Sequence, residues 1–262
     1  MSFYAGVDIG SLSTDTVIID DSATVLAWDV SPTGANSKAA AERSFAQTLD
    51  RARLSSGDLA YVVATGYGRV SVPFSNKTVT EITCHGRGAY ELFPRTRTII
   101  DIGGQDSKVI RIDDAGKVVD FAMNDKCAAG TGRFIEVMAK ALEVPLDDMG
   151  PLSFKAAQQI SISSMCTVFA ESEVISLVAQ ATPKEDIING IHNSICNRIF
   201  SMLERVGVEP EITMTGGVAK NTAVVDKIRR RARAEINVPP EPQIAGALGA
   251  ALVARDLALK RA

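Results

Sequence analysis

The chain has 262 residues, of which 46% are hydrophobic and 23% charged, with a formal net charge of −3. That length holds one large domain or two small ones with real cores, and the slightly acidic balance argues against a nucleic-acid or acidic-membrane binder. The longest apolar run, from Ala245 to Ala254, is too short to span a bilayer, and the N-terminus has no basic start, so the protein is expected in the cytoplasm. In chain order, residues 4–9 and 16–19 read as strands around the small-residue turn Gly10-Ser-Leu-Ser-Thr14. A helix over 39–54, a strand over 59–65 and a helix over 81–92 follow. The opening pattern then recurs, with strands over 98–102 and 109–112 around Gly103-Gly-Gln-Asp-Ser-Lys108. Helices are predicted over 127–142, 167–181 and 186–206, then a strand over 212–215, a basic helix over 220–235 and an Ala-rich helix over 245–259.

The recurrence carries chemistry. In Asp8-Ile-Gly-Ser-Leu-Ser-Thr14 and Asp101-Ile-Gly-Gly-Gln-Asp-Ser107, a strand delivers a carboxylate to its end and a glycine lets the backbone turn and present N–H groups. Hydroxyls of Ser11, Ser13, Thr14 and Ser107 can bond phosphate oxygens, and Asp8 and Asp101 can hold hydrated magnesium. A third turn, Met214-Thr-Gly-Gly-Val-Ala-Lys-Asn221, suits close approach to an adenosine. Neither a P-loop nor a Gly-x-Gly-x-x-Gly after the first strand is present. The order of these three motifs resembles the actin/Hsp70/hexokinase superfamily. That resemblance implies an α/β fold of two RNase-H-like lobes with ATP in the cleft between them. The N-terminal lobe is expected over 1–96 plus 243–262 and the C-terminal lobe over 97–242.

Four cysteines occur, at 84, 127, 166 and 196, with no Cys-x-x-Cys pair. Disulfides are a poor default in a cytosolic protein, and a self-contained ferredoxin-type cluster or zinc ribbon is disfavoured. Cys127 and Cys166 each fall just before or at the first turn of a predicted helix, where the free N–H groups favour negative charge and could bond cluster sulfur. A [4Fe–4S] cluster takes four thiolates, and a two-fold dimer would supply these two cysteines twice. Cys84 and Cys196 read as small buried hydrophobes. Cys84 and His85 share a helical stretch with no partner at metal-ligand spacing, and His192 reads as packing or surface. The run Lys227-Ile-Arg-Arg-Arg-Ala-Arg233 reads as a solvated helix face.

The segments 64–69, 100–106, 124–134, 166–175, 214–219 and 246–251 together are similar to activators of 2-hydroxyacyl-CoA dehydratases and ATP-binding subunits of benzoyl-CoA reductases. The resemblance implies a homodimer with one bridging [4Fe–4S] cluster on Cys127 and Cys166 and one MgATP site per subunit. A ferredoxin or flavodoxin would reduce it, and a client iron–sulfur dehydratase, reductase or double-cubane-type protein would take one low-potential electron, coupled to ATP hydrolysis. Gly10, Ser11, Gly103, Gly104 and Gln105 would surround the phosphates and Gly216 and Gly217 the adenosine. Gln105 or Glu81 would orient the attacking water. Many activators carry Lys near the end of the first hairpin where this chain has Asp15, so either Lys108 compensates or that position points away. The rival readings are a small-molecule kinase of the same fold, colourless and with its own acceptor site, and an actin-like filament former.

Overall fold

A computed structural model describes residues 2–162 and 166–260. The β-branched runs around Asp8 and Asp101 form the central strands of two five-stranded sheets. In the first sheet, β1 (Phe3–Ile9) pairs antiparallel with β2 (Ser13–Asp20) and parallel with β4 (Leu59–Thr65). Outside these lie β3 (Val25–Pro32) and the short β5 (Lys77–Thr78). In the second sheet, β6 (Thr98–Ile102) pairs antiparallel with β7 (Ser107–Ile112) and parallel with β9 (Ile212–Thr215), flanked by β8 (Val118–Asn124) and β10 (Ile236–Asn237). Counted outward from β1 and β6, the two sheets have the same strand order and directions. The repeated hairpin is therefore part of a duplicated five-stranded unit.

Helices cover both faces of each sheet, which is why the central strands are apolar throughout rather than alternating. Helix α1 (Ser37–Ala52) places Ala41 and Phe45 against Val7 and Ile9. Helices α2 (Glu81–Leu92) and α8 (Ala245–Leu259) cover the other face of the first sheet, and α2 also packs on Ile99 and Ile110 of the second. The larger core lies behind the second sheet. There α3 (Gly132–Ala141), the short α4 (Met149–Ser153), α5 (Thr167–Ala179), the long α6 (Lys184–Val206) and α7 (Thr222–Ala232) enclose Ile100, Ile102, Phe134, Ile191 and Ile195.

Strands β3 and β8, both at sheet edges, were not expected from the sequence. Helix α3 starts at Gly132 rather than at Cys127, because Gly130 adopts a φ of 84° and Thr131 is extended, which stops helical backbone upstream. Cys127 is therefore held in a turn, where the Asn124 amide donates to the carbonyls of Cys127 (2.8 Å) and Ala129 (3.1 Å). Helix α7 begins at Thr222 rather than at Lys220, capped by the Asn221 carbonyl oxygen, which accepts from the Ala223 and Val224 amides.

Helices α2 and α8 cross at glycines. A Cβ at Gly249 would overlap the carbonyl oxygen of Cys84, and one at Gly88 would overlap that of Ala245. Mid-helix glycine usually costs about 1 kcal/mol against alanine. Here Gly249→Ala is expected to destabilise the protein by about 2–3 kcal/mol, the cost of overpacking, when unfolding in denaturant is followed by circular dichroism. A stabilised variant would contradict this crossing.

Candidate functional site

The two hairpins close alike. The Gly10 amide donates to the Ser13 carbonyl (2.9 Å) and the Gly103 amide to the Asp106 carbonyl (3.0 Å). They also meet: the Leu12 side chain lies on Gly104, where there is no room for a Cβ. Asp8 and Asp101 are buried at the ends of β1 and β6, 7% and 2% exposed.

His85 on α2 stands between them, with Nε2 3.7 Å from Asp8 Oδ2 and Nδ1 3.5 Å from Asp101 Oδ1. The sequence offers His85 no partner at metal-ligand spacing, whereas through space it joins the carboxylates of both sheets. Asp101 has further support. Thr215 Oγ1 donates to its Oδ1 (3.0 Å), and Lys108 Nζ donates to its Oδ2 (3.2 Å) and to Asp106 Oδ2 (2.6 Å). Burial works to raise the Asp101 pKa, but His85, Lys108 and the Thr215 bond outweigh it and hold it below the ordinary value. Among the described residues Asp8 has no such side-chain donors, and burial pushes it up to about 6 against the opposing pull of His85 and Lys108.

The remaining candidate residues distribute around this centre. Ser13 Oγ accepts from the Gln243 side-chain amide (3.4 Å), and Gln243 also lies beside Gly217, so the third turn is joined to the first hairpin. Gly216, at φ 82°, leaves space that a Cβ would take from Asp101 Oδ1 and the Ile102 carbonyl. Ser11 is half-buried and Gln105 exposed at the hairpin tips. Thr14 is fully buried, with its hydroxyl 2.9 Å from that of Thr33, which donates to the Gly10 carbonyl. It braces the hairpin from within. Glu81 opens α2 and pairs with Arg69 (3.1 Å). Lys108 is engaged with Asp101 and Asp106, and Asp15 is buried directly opposite Asp8 in the β1–β2 register.

The second hairpin is bonded to the cysteine loop. The Gly132 amide donates to the Gly103 carbonyl (2.9 Å) and the Arg133 amide to the Gly104 carbonyl (2.8 Å). Cys127 is half-buried against the second core. Cys166 is exposed as the N-cap residue of α5, next to Val168 and Phe169, which are 66% and 68% exposed. Cys84 and Cys196 are core residues, and burial pushes both thiols up to about 12. His192 is buried beside the Asn221 amide, and desolvation lowers its pKa to about 3. Among the described residues no three His, Cys, Asp or Glu side chains form a metal-binding group, and no helix is long and apolar enough to cross a membrane.

The Asp8 shift sets a pH dependence. The folded state keeps a proton on Asp8 that the unfolded chain releases near pH 4, so stability falls as pH rises from about 4 through about 6. In buffer free of metal ions, Asp8→Asn should be more stable than the native chain by roughly 2–3 kcal/mol at pH 8, with the difference vanishing toward pH 4. Denaturant titrations at several pH values measure this, and a pH-independent difference would contradict it.

Comparison with known proteins bears on this arrangement. The chain matches the BadF/BadG/BcrA/BcrD ATPase family over residues 5–254. It is 46% identical to the activator of lactoyl-CoA dehydratase from Anaerotignum propionicum, over 99% of this chain and 100% of that protein. The crystal structure of (R)-2-hydroxyglutaryl-CoA dehydratase component A from Acidaminococcus fermentans superposes with a TM-score of 0.95 at 42% identity, covering 99% of this chain and 100% of that one. The activator of 2-hydroxyisocaproyl-CoA dehydratase from Clostridium difficile, solved with bound ADPNP, superposes with a TM-score of 0.93 at 44% identity, covering 99% and 96%. A glucokinase of the ROK family from Streptomyces griseus shares the fold alone, with a TM-score of 0.59 at 15% identity over 97% of this chain and 100% of that one. The chain thus belongs to the BadF/BadG/BcrA/BcrD ATPase family and has the two-lobe α/β fold of the actin and sugar-kinase ATPases.

Proposed function

We propose that this ATPase is the activator of a client iron–sulfur enzyme, a 2-hydroxyacyl-CoA dehydratase or a related reductase. In this reading two copies hold one [4Fe–4S] cluster through Cys127 and Cys166 of each, in the cytoplasm. The observation that carries it is the pair of backbone hydrogen bonds from Gly132 and Arg133 to Gly103 and Gly104. They make the phosphate hairpin and the Cys127 loop one bonded unit, so a change in what the hairpin holds is felt at the thiol. Relatives covering the whole chain are activators, and the small-molecule kinase alternative is not favoured.

The residues fit the groups they would hold. Asp8 and Asp101 lie on either side of His85 with burial costs that a hydrated magnesium would offset, and the turns at Gly10–Ser11 and Gly103–Gln105 would receive the phosphates. Gly216, Gly217 and Gln243 would lie along the nucleoside. Gln105 or Glu81 would orient the attacking water; Glu81 is held by Arg69 and Gln105 is exposed at the tip. A single chain offers two thiols at these motifs, short of four, while an exposed Cys166 ringed by exposed Val168 and Phe169 suits a two-fold contact. The cluster would supply one electron at low potential, received from a ferredoxin or flavodoxin. The lobes would divide as 1–96 plus 243–262 and 97–242, closing on the nucleotide. ATP shifts the potential only as far as it distinguishes the redox states, roughly 59 mV per tenfold difference in affinity.

Iron and acid-labile sulfide on anaerobically purified protein test this. About four irons per dimer are expected, lost in Cys127→Ser or Cys166→Ser. Asp101→Asn should keep the iron and lose ATP hydrolysis at least about a hundredfold. Iron absent from the native chain after reconstitution would end the electron-transfer reading.

A further inference from the structure

The duplication allows the two halves of the cleft to be compared position by position. In the second sheet Asp101 stands opposite Lys108 on one side and Thr215 on the other. In the first sheet Asp8 stands opposite Asp15 and Thr65 in the same pairings. Where the second half sets an ammonium beside its carboxylate, the first sets another carboxylate. Lys108 Nζ lies 3.2 Å from Asp101 Oδ2 and 2.6 Å from Asp106 Oδ2, so its half of the cleft is charge-balanced from within.

The first half is not. Asp15 is 5% exposed; its Oδ2 accepts from Ser13 Oγ (3.2 Å), while its Oδ1 is buried with no hydrogen-bond partner among the described residues. Burial drives the Asp15 pKa well upward, and the neighbouring Asp8 drives it the same way. The cations nearby are committed elsewhere: Lys108 to Asp101 and Asp106, and Lys220 to Glu241 at 2.9 Å. His85 lies between Asp8 and Asp101. Asp15 Oδ1 meets no hydrogen-bond donor among the described residues, so its charge is left buried and unbonded. A metal cation needs only oxygen atoms around it.

We propose that a monovalent cation of potassium size binds beside Asp15 and Asp8 and takes the place that the Lys108 ammonium fills in the other half. The charge and size follow from that comparison, since an ammonium and a potassium ion carry the same charge at similar radius. A second magnesium fits less well, because the comparison with Lys108 gives this place a single positive charge and a divalent ion carries two. The ion neutralises Asp15, lets Asp8 stay ionised next to it, and so leaves Asp8 able to organise magnesium. This last effect rests on the nucleotide reading of the cleft; the binding of the ion does not.

Thermal unfolding of the nucleotide-free, full-length protein in potassium chloride and in tetramethylammonium chloride at equal ionic strength is the test. Potassium is expected to raise the midpoint by about 2–5 °C in the native chain. Asp15→Asn should lose that response, and Asp15→Lys, which installs the second half's solution, should ignore potassium. ATP hydrolysis should follow the same pattern, accelerated several-fold by potassium in the native chain and potassium-independent in Asp15→Lys. Equal midpoints in the two salts, or a potassium response that persists in Asp15→Asn or Asp15→Lys, would overturn the ion site. A potassium shift with indifferent hydrolysis would overturn its link to Asp8. If no hydrolysis occurs under any condition, the nucleotide reading fails while the thermal comparison still decides whether the ion binds.

Discussion

Two carboxylates, Asp8 and Asp101, are buried on either side of His85 in the cleft, and most of the surrounding structure answers to that cost. Desolvating a charge is expensive unless it is paired and hydrogen-bonded. Asp101 has Lys108, Thr215 and His85, whereas Asp8 has His85 alone within ion-pair distance among the described residues. Glycine is required around the carboxylates for the same reason. A Cβ at Gly66 or Gly246 would overlap the Asp8 carboxylate, and one at Gly216 would crowd that of Asp101. Helix α8 can thus lay its first turn on the back of the site, and α2 can send His85 into the middle of it. The arrangement is costly without a cation and suited to one, the signature of a site organised for its ligand rather than for stability.

The second consequence is mechanical. Because α2 packs on both sheets and crosses α8 at glycine contacts, the two halves of the cleft share one rigid support. Because the second hairpin's carbonyls accept from the first amides of α3, that hairpin and the Cys127 loop share another. Arg198 on α6 donates to Asn124, whose amide in turn holds the Cys127 loop, so the long helix behind the second sheet is tied in as well. Coupling of nucleotide to redox state needs such bonded continuity between two arrangements, each favoured by a different ligand.

Much of this was legible in the sequence because the signals are local. Asp-x-Gly at the end of a β-branched run, twice, announces two hairpins, and their equal spacing from flanking strands announces a duplication. What was not legible depends on partners distant in the chain. His85 could not be assigned a partner from the local sequence, since its partners Asp8 and Asp101 come from two different sheets. Strand β3 is hidden in the sequence because its alternation is inverted, with Leu26 and Trp28 exposed at the edge while Asp29 and Ser31 are buried. The start of α3 was misplaced because Ala128 and Ala129 are good helix formers, and only the left-handed Gly130 overrides them. By composition Thr14 offers a hydroxyl to phosphate; its bond to Thr33 depends on its place inside β2.

The direct test of the link between nucleotide and cysteine is hydrogen–deuterium exchange on the full chain with and without a non-hydrolysable ATP analogue and magnesium. If the hairpin and the Cys127 loop respond as one unit, segment 127–133 gains protection together with 8–14 and 103–108, led by the Gly132 and Arg133 amides. Protection confined to the two hairpins, with 127–133 unchanged, would show that nucleotide binding stops short of the thiol and would contradict the coupling.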